Sequence, residues 1–143
     1  MMRRKSVMLK GGNKMNVLYA VSEAVPFVKT GGLADVAGSL PKALREQGVD
    51  TRVILPLYSS IGEKWRLKMN FCFYTFINLA WRRQYCGVFK LDYDGVIWYF
   101  IDNEYYFKRD SIYGCYDDGE RFAFFSKAVI DILPQLDWKP DVI

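Results

Sequence analysis

Lys29-Thr30-Gly31-Gly32 is the segment of this sequence best suited to chemistry. A glycine pair between a buried strand and the start of a helix presents backbone amides without side chains at the positive end of a helix dipole, a corner that suits a phosphate group. Lys29 adds a mobile cation two residues before Gly31, Thr30 a hydroxyl, and Asp35 a carboxylate early in the helix. Neither Gly-x-Gly-x-x-Gly nor Gly-Lys-Ser/Thr is present, so the segment is not a dinucleotide fingerprint or a P-loop. Two readings stay open on the residues alone: phosphate or pyrophosphate binding, and glycines that only permit a tight turn.

The rest of the chain narrows the chemistry by exclusion. It contains no histidine, which removes Ser-His-Asp and Cys-His nucleophiles and His-based zinc catalysis. Cys72, Cys86 and Cys115 are odd in number, widely spaced and lack a Cys-x-x-Cys pair, so free thiols are expected, with neither a disulfide framework nor a zinc site. Carboxylates, lysine, arginine, tyrosine and backbone dipoles remain.

The net charge of +4 comes from the first fourteen residues, where Arg3, Arg4, Lys5, Lys10 and Lys14 meet no acid; residues 15–143 hold 15 Lys+Arg against 16 Asp+Glu. That body has no basic footprint for nucleic acid. Residues 1–14 read as a disordered leader or tag with Met15 as the structural beginning. Their apolar stretch, Val7-Met8-Leu9, is far shorter than the roughly 7 to 15 residues of a signal-peptide core. No window approaches the roughly 18 apolar residues of a membrane span, so a cytoplasmic protein without membrane contact is expected. At 143 residues, 51% apolar and 17% aromatic, the chain can bury a core as one unit.

The elements that position the segment follow from periodicity. Met15 to Val21 is a short apolar run that fits a strand buried on both faces. After the punctuated stretch Ser22 to Gly32, apolar residues at Leu33, Val36, Ala37, Leu40 and Leu44 recur at helical spacing, predicting a helix with that face inward and Gly48 at its end. Pro41 removes a backbone donor and predicts a kink or a split. Thr51 to Leu55, stopped by Pro56, predicts a second buried strand, so that β-loop-α-β seeds a doubly wound fold. Alternation from Phe71 to Ile77, then Tyr85–Tyr93 and Val96–Ile101 around Asp94-Gly95, predicts an antiparallel hairpin insertion or sheet edge. A polar and aromatic loop, 102–118, precedes a helix marked by Phe122, Phe125, Val129, Ile132 and Leu133 and ended by Pro134, with Asp117, Asp118 and Glu120 at its start. Pro140-Asp141-Val142-Ile143 reads as the beginning of another buried strand.

The run Ser22-Glu23-Ala24-Val25-Pro26-Phe27-Val28-Lys29-Thr30-Gly31-Gly32-Leu33-Ala34-Asp35-Val36 strongly resembles the opening signature of bacterial glycogen and plant starch synthases. The likeness extends through Leu40-Pro41-Lys42-Ala43-Leu44, Leu55-Pro56, Ile101-Asp102-Asn103, Tyr113-Gly114 and Arg121-Phe122, covering residues 15–143. It implies the Rossmann-like N-terminal half of a GT-B glycosyltransferase. The implied activity is transfer of glucose from ADP-glucose to the non-reducing end of an α-1,4-glucan with retention of configuration, needing no metal or cofactor. The resemblance assigns ADP-glucose binding to Lys29, with the amides of Gly31 and Gly32, and places Asp35 and Tyr113 in the active site. Thr30 and Arg109 join them as candidate donor contacts, although Arg109 also reads as a solvated or paired arginine. Glu23 reads as a residue that caps or orients the loop.

The family continues with His-x-x-Asp-Trp and a second domain whose arginine, lysine and glutamate hold the leaving diphosphate. The sequence therefore reads as a fragment truncated at its C-terminal end, and the chain alone is expected to show no transfer and poor solubility. A non-catalytic nucleotide-sugar or glucan binding module is the alternative, and an unrelated nucleotide-sugar binder a weaker third.

Overall fold

A computed structural model of the chain describes Gly12 and residues 14–143. The leader expected over residues 1–14 lies outside them but for Gly12 and Lys14. The ordered sequence of elements is β1 (Asn16–Ala20), α1 (Gly32–Glu46), β2 (Asp50–Pro56), α2 (Glu63–Arg66), β3 (Asn70–Leu79), β4 (Arg82–Tyr93), β5 (Val96–Asp102), α3 (Glu104–Phe107) and α4 (Asp118–Asp131), then a 3-10 turn at Leu133–Gln135.

Five strands form one sheet in the order β1-β2-β5-β4-β3. β1 pairs with β2, and β2 with β5, in parallel. These strands read as apolar runs because both faces are covered: Leu18, Val53, Ile54, Leu55, Phe100 and Ile101 have no exposed surface. β4 and β3 add to β5 in antiparallel fashion, the predicted insertion at the sheet edge. Asp94 and Gly95 make its turn with φ of 50° and 74°, as a two-residue hairpin of the mirror-image type requires. On the far side of β1, Val142 bridges Val17 in parallel sense, with Leu18 N–H donating to Val142 O at 2.9 Å. β1 thus lies where the sheet runs outward in both directions, the place where ligands bind beyond the carboxyl ends of parallel strands.

Two expectations for α1, a split at Pro41 and its inward face, are corrected. The helix runs unsplit through Pro41, which is buried. Pro41 deprives the Ala37 carbonyl of its usual donor, and burial of the ring offsets part of that loss. The inward face is Ala34, Ala37 and Pro41, whereas Leu33, Val36 and Leu40 are exposed. Apolar residues occupy both faces, and only the small ones fit against the closely packed loop before the helix. Gly48, at φ 87°, ends α1 as expected, with its N–H on Arg45 O. α4 opens at Asp118, whose carboxylate accepts from Gly114 N–H and Cys115 N–H.

Candidate functional site

The loop between β1 and α1 is folded back on itself and pinned at three places. Phe27 is buried among Trp65, Trp98 and Phe100, edge to face, at centroid distances of 5.0, 4.8 and 5.1 Å; such pairs contribute about 0.5–1.5 kcal/mol each beyond area burial. Glu23, 3% exposed, accepts from both Thr30 N–H and Thr30 Oγ1 through one carboxylate oxygen. The orienting role expected of Glu23 is what the geometry displays. Val25 N–H donates to Ala34 O at 3.1 Å, tying the loop to the first turn of α1. Gly38 allows this approach, because a Cβ there would lie 2.3 Å from Val25 Cγ2 and 3.0 Å from Val25 O.

Gly31 and Gly32 meet a different need. Gly31 caps α1 at φ −158°, an extended conformation open to any residue, and Gly32 has no positive φ. A tight left-handed turn is therefore not why glycines occupy these positions. An added Cβ at either would meet nothing within 4 Å, and no side chain caps the helix. The result is an open corner in front of the amides at the positive end of a fifteen-residue helix.

Lys29 Nζ stands beside that corner and donates to Asp35 Oδ1 and Oδ2 at 2.9 and 2.8 Å. Both side chains are about half exposed, 50% and 56%. A pair so wet is worth below about 1 kcal/mol, so an arriving phosphate can take the ammonium without a large penalty. Thr30 contributes its hydroxyl to Glu23, so it serves loop geometry in this state.

Tyr113 reaches the same loop from 91 residues away, its hydroxyl 2.6 Å from Ser22 Oγ. Burial raises its phenol above the ordinary value, and Glu23 adds to the rise. Tyr58 holds the other side of Ser22 by donating to its carbonyl at 2.7 Å. Next to Ser22 an apolar groove of about 420 Å³ is lined by Ala20, Val21, Phe122, Phe125 and Ile143.

Arg109 is a paired arginine in this structure, one of the two readings its sequence allowed. It makes a fork on Asp117 at 2.9 Å through each of Nη1 and Nη2, and donates to Tyr105 O from Nε and Nη2. Asp117 is held below the usual carboxylate range, first by that guanidinium. The wholly buried Arg121 supplies a second post, donating to Tyr106 O, Ile112 O and Asp118 Oδ1. Residues 105–118, and with them Tyr113, are thus wrapped around two arginines. Sequence reasoning gave Arg121 no role; an arginine in the otherwise apolar register of α4 was the available signal. Among the described residues no group of three His, Cys, Asp or Glu side chains is placed to hold a metal ion.

Comparison with known proteins decides the family, since the model of the starch synthase catalytic domain matches residues 16–143. The chain belongs to the starch synthase catalytic domain family. Its relatives include the glycogen synthases of Geobacillus thermodenitrificans (strain NG80-2), 60% identical, and Clostridium kluyveri, 57% identical, each over 129 residues that are 90% of this chain and 27% of the relative. Among solved structures it is similar to the catalytic domain of starch synthase IV from Arabidopsis thaliana bound to ADP and acarbose. That likeness has a TM-score of 0.81 and 27% identity over 90% of this chain and 27% of that one. The α/β sheet described above is therefore the opening portion of the starch synthase catalytic fold, and the chain spans just over a quarter of the length of the relatives it matches.

Proposed function

We propose that this chain forms the opening part of an ADP-glucose-dependent glucosyltransferase that lengthens an α-1,4-glucan at its non-reducing end with retention of configuration. In that reaction the bond between glucosyl C1 and the phosphate oxygen breaks, ADP departs with the electron pair, and the acceptor 4-hydroxyl bonds to C1 and gives up its proton. Family membership supports the reading, as do relatives named glycogen synthase and a structural neighbour bound to ADP and acarbose. The observation that carries it is the unobstructed Gly31–Gly32 corner beside a weakly held lysine.

The corner offers its amides and the Lys29 ammonium to the donor diphosphate, where negative charge grows as ADP leaves. Moving Lys29 onto phosphate frees Asp35, whose carboxylate then accepts from sugar hydroxyls. Tyr113, fixed by Ser22, closes the other side. No metal or cofactor is needed in this scheme. A cytoplasmic setting goes with it; no helix among the described residues is long and apolar enough to cross a membrane.

Steady-state kinetics of the complete enzyme, with each substrate varied in turn, test the reading. Lys29→Gln removes a charge-assisted hydrogen bond worth about 1.5–3 kcal/mol, weakening ADP-glucose by about one to two orders of magnitude. Lys29→Arg does less harm, and the glycogen requirement stays put. A raised glycogen requirement with an unchanged ADP-glucose requirement would move Lys29 to the acceptor side.

A further inference from the structure

β3 is the terminal strand of the sheet order β1-β2-β5-β4-β3. At the opposite end Val142 bridges Val17 beyond β1, so the sheet is continued on the β1 side and β3 is its open edge. Among the described residues no backbone outside β4 hydrogen-bonds to β3. An edge strand shows a row of unpaired N–H and C=O groups to any other strand, and natural proteins blunt it with charge, proline, brevity or bulges. β3 has little of this protection. Its ten residues, Asn70–Leu79, include no charged residue, proline or glycine, and its one irregularity lies near one end, between Phe71 and Phe73. From Phe73 to Leu79 the strand is regular, with a main chain able to take up another strand.

The side chains say which strand fits. On the outer face Tyr74 and Phe76 are 58% and 44% exposed. Tyr74 stacks on Tyr85 of β4 at 5.8 Å, and Phe76 meets both rings edge to face at 6.1 and 6.4 Å. Trp81, at the tip of the hairpin, is 86% exposed. An uncharged strand sets no like charges against a copy of itself. Residues directly opposite each other must share a face, because a slip of one residue sets outer side chains against inner ones; a symmetric antiparallel pair is therefore centred on a residue. Centring on Tyr74 opposes Phe76 to Cys72, and centring on Phe76 opposes Tyr74 to Asn78. Centring on Thr75 sets Tyr74 of each copy against Phe76 of the other, twice over, and brings Trp81 to the Met69–Phe71 end of the second copy.

From the unprotected terminal edge and this self-complementary register, we propose that two copies of the chain pair through β3, antiparallel about Thr75, so that their five-stranded sheets become one. The contact is isologous, and its two-fold axis stands normal to the sheet. β1 lies at the far end of each sheet from β3, so the two Lys29 corners open toward opposite ends of the shared sheet and stay clear of the contact. A single strand pair belongs with the small, transient interfaces, for which a dissociation constant of about 1–100 µM is expected.

Sedimentation equilibrium of the 143-residue chain tests the pairing, with circular dichroism and melting curves to show that each variant folds. The wild type is a concentration-dependent dimer. Tyr74→Glu and Phe76→Lys each weaken it about tenfold or more, because the two-fold applies the loss of an aromatic pair twice. An equimolar mixture of the two variants restores dimerisation, since the carboxylate of one then lies opposite the ammonium of the other. Thr75→Cys in a Cys72→Ser background gives a disulfide-linked dimer on mild oxidation, as opposed Cα atoms at the axis stand about 4.5–5.5 Å apart. A chain that stays monomeric at about 300 µM overturns the proposal. Association that both β3 variants leave unchanged overturns it too, and its loss in Val36→Lys then moves the contact to the exposed side of α1. A mixture that associates no more tightly than its two components refutes the pairing of Tyr74 with Phe76 and with it the proposal.

Discussion

Gly38→Ala is the substitution whose outcome the loop geometry fixes most sharply. In an ordinary helix interior it stabilises by about 1 kcal/mol, because glycine has more backbone freedom to lose. Here the new methyl would lie 2.3 Å from Val25 Cγ2 and 3.0 Å from Val25 O. The first contact is a side chain that can turn away, but the second is backbone of the loop that carries Lys29. Overpacking of this kind costs about 1–3 kcal/mol, so the net effect is a loss of up to about 2 kcal/mol. At about 4 °C per kcal/mol for a domain of this size, the melting temperature falls by up to about 8 °C. Val25→Ala removes the Cγ2 clash and leaves the carbonyl, so the double variant recovers most of the loss, with a coupling of about 1 kcal/mol. Calorimetry and urea unfolding of the two single variants and the double variant measure it. A melting temperature raised by about 4 °C in Gly38→Ala, as propensity alone dictates, or a coupling below about 0.3 kcal/mol, refutes the reasoning.

Two other outcomes follow from the surroundings of single groups. Asp117, its folded value depressed below 3.8 by Arg109, contributes stability that is complete above the unfolded value and lost as pH falls through the folded one. The melting gap between wild type and Asp117→Asn is therefore constant from about pH 7 to 5 and closes between about pH 4 and 2; a gap unchanged at the acid end refutes the pairing. Burial pushes the Cys86 thiol up to about 12, whereas Cys72 is exposed and Cys115 half-exposed. A water-soluble maleimide at about pH 7.5 thus labels two thiols in the native chain and the third only in denaturant, and native labelling of Cys86 contradicts its burial in the core.

The strands and the two long helices were legible because their apolar residues recur with a fixed period and stop at Gly48, Pro56 and Asp94-Gly95. Elements with no such period were not: α2 and α3 are single turns, and the β3–β4 turn uses Ala80 at φ 53°, a residue type that signals no turn. The inward face of α1 was misread because Leu33, Val36 and Leu40 repeat as regularly as Ala34, Ala37 and Pro41, and hydrophobicity outweighs size in any periodicity. In the site, the spacing of Lys29, Gly31 and Gly32 was enough to point to the corner, whereas the fork between Arg109 and Asp117 was not. Eight residues apart across an irregular loop, those two follow no helical or strand rule, and only the folded chain brings them together.

The empty space in front of Gly31 and Gly32 has a consequence for engineering. Since Gly32 lies at the first helical position with ordinary backbone angles and nothing near its missing methyl, alanine there restricts the unfolded chain by about 0.4–1 kcal/mol at no steric cost. A screen for heat resistance alone would enrich Gly32→Ala and would fill the space that the proposed phosphate contact needs. On the function proposed above, selection for growth on stored polysaccharide would discard the same variant. On that reading stability and turnover pull in opposite directions at this one position, so a thermostabilised library should hold residue 32 fixed.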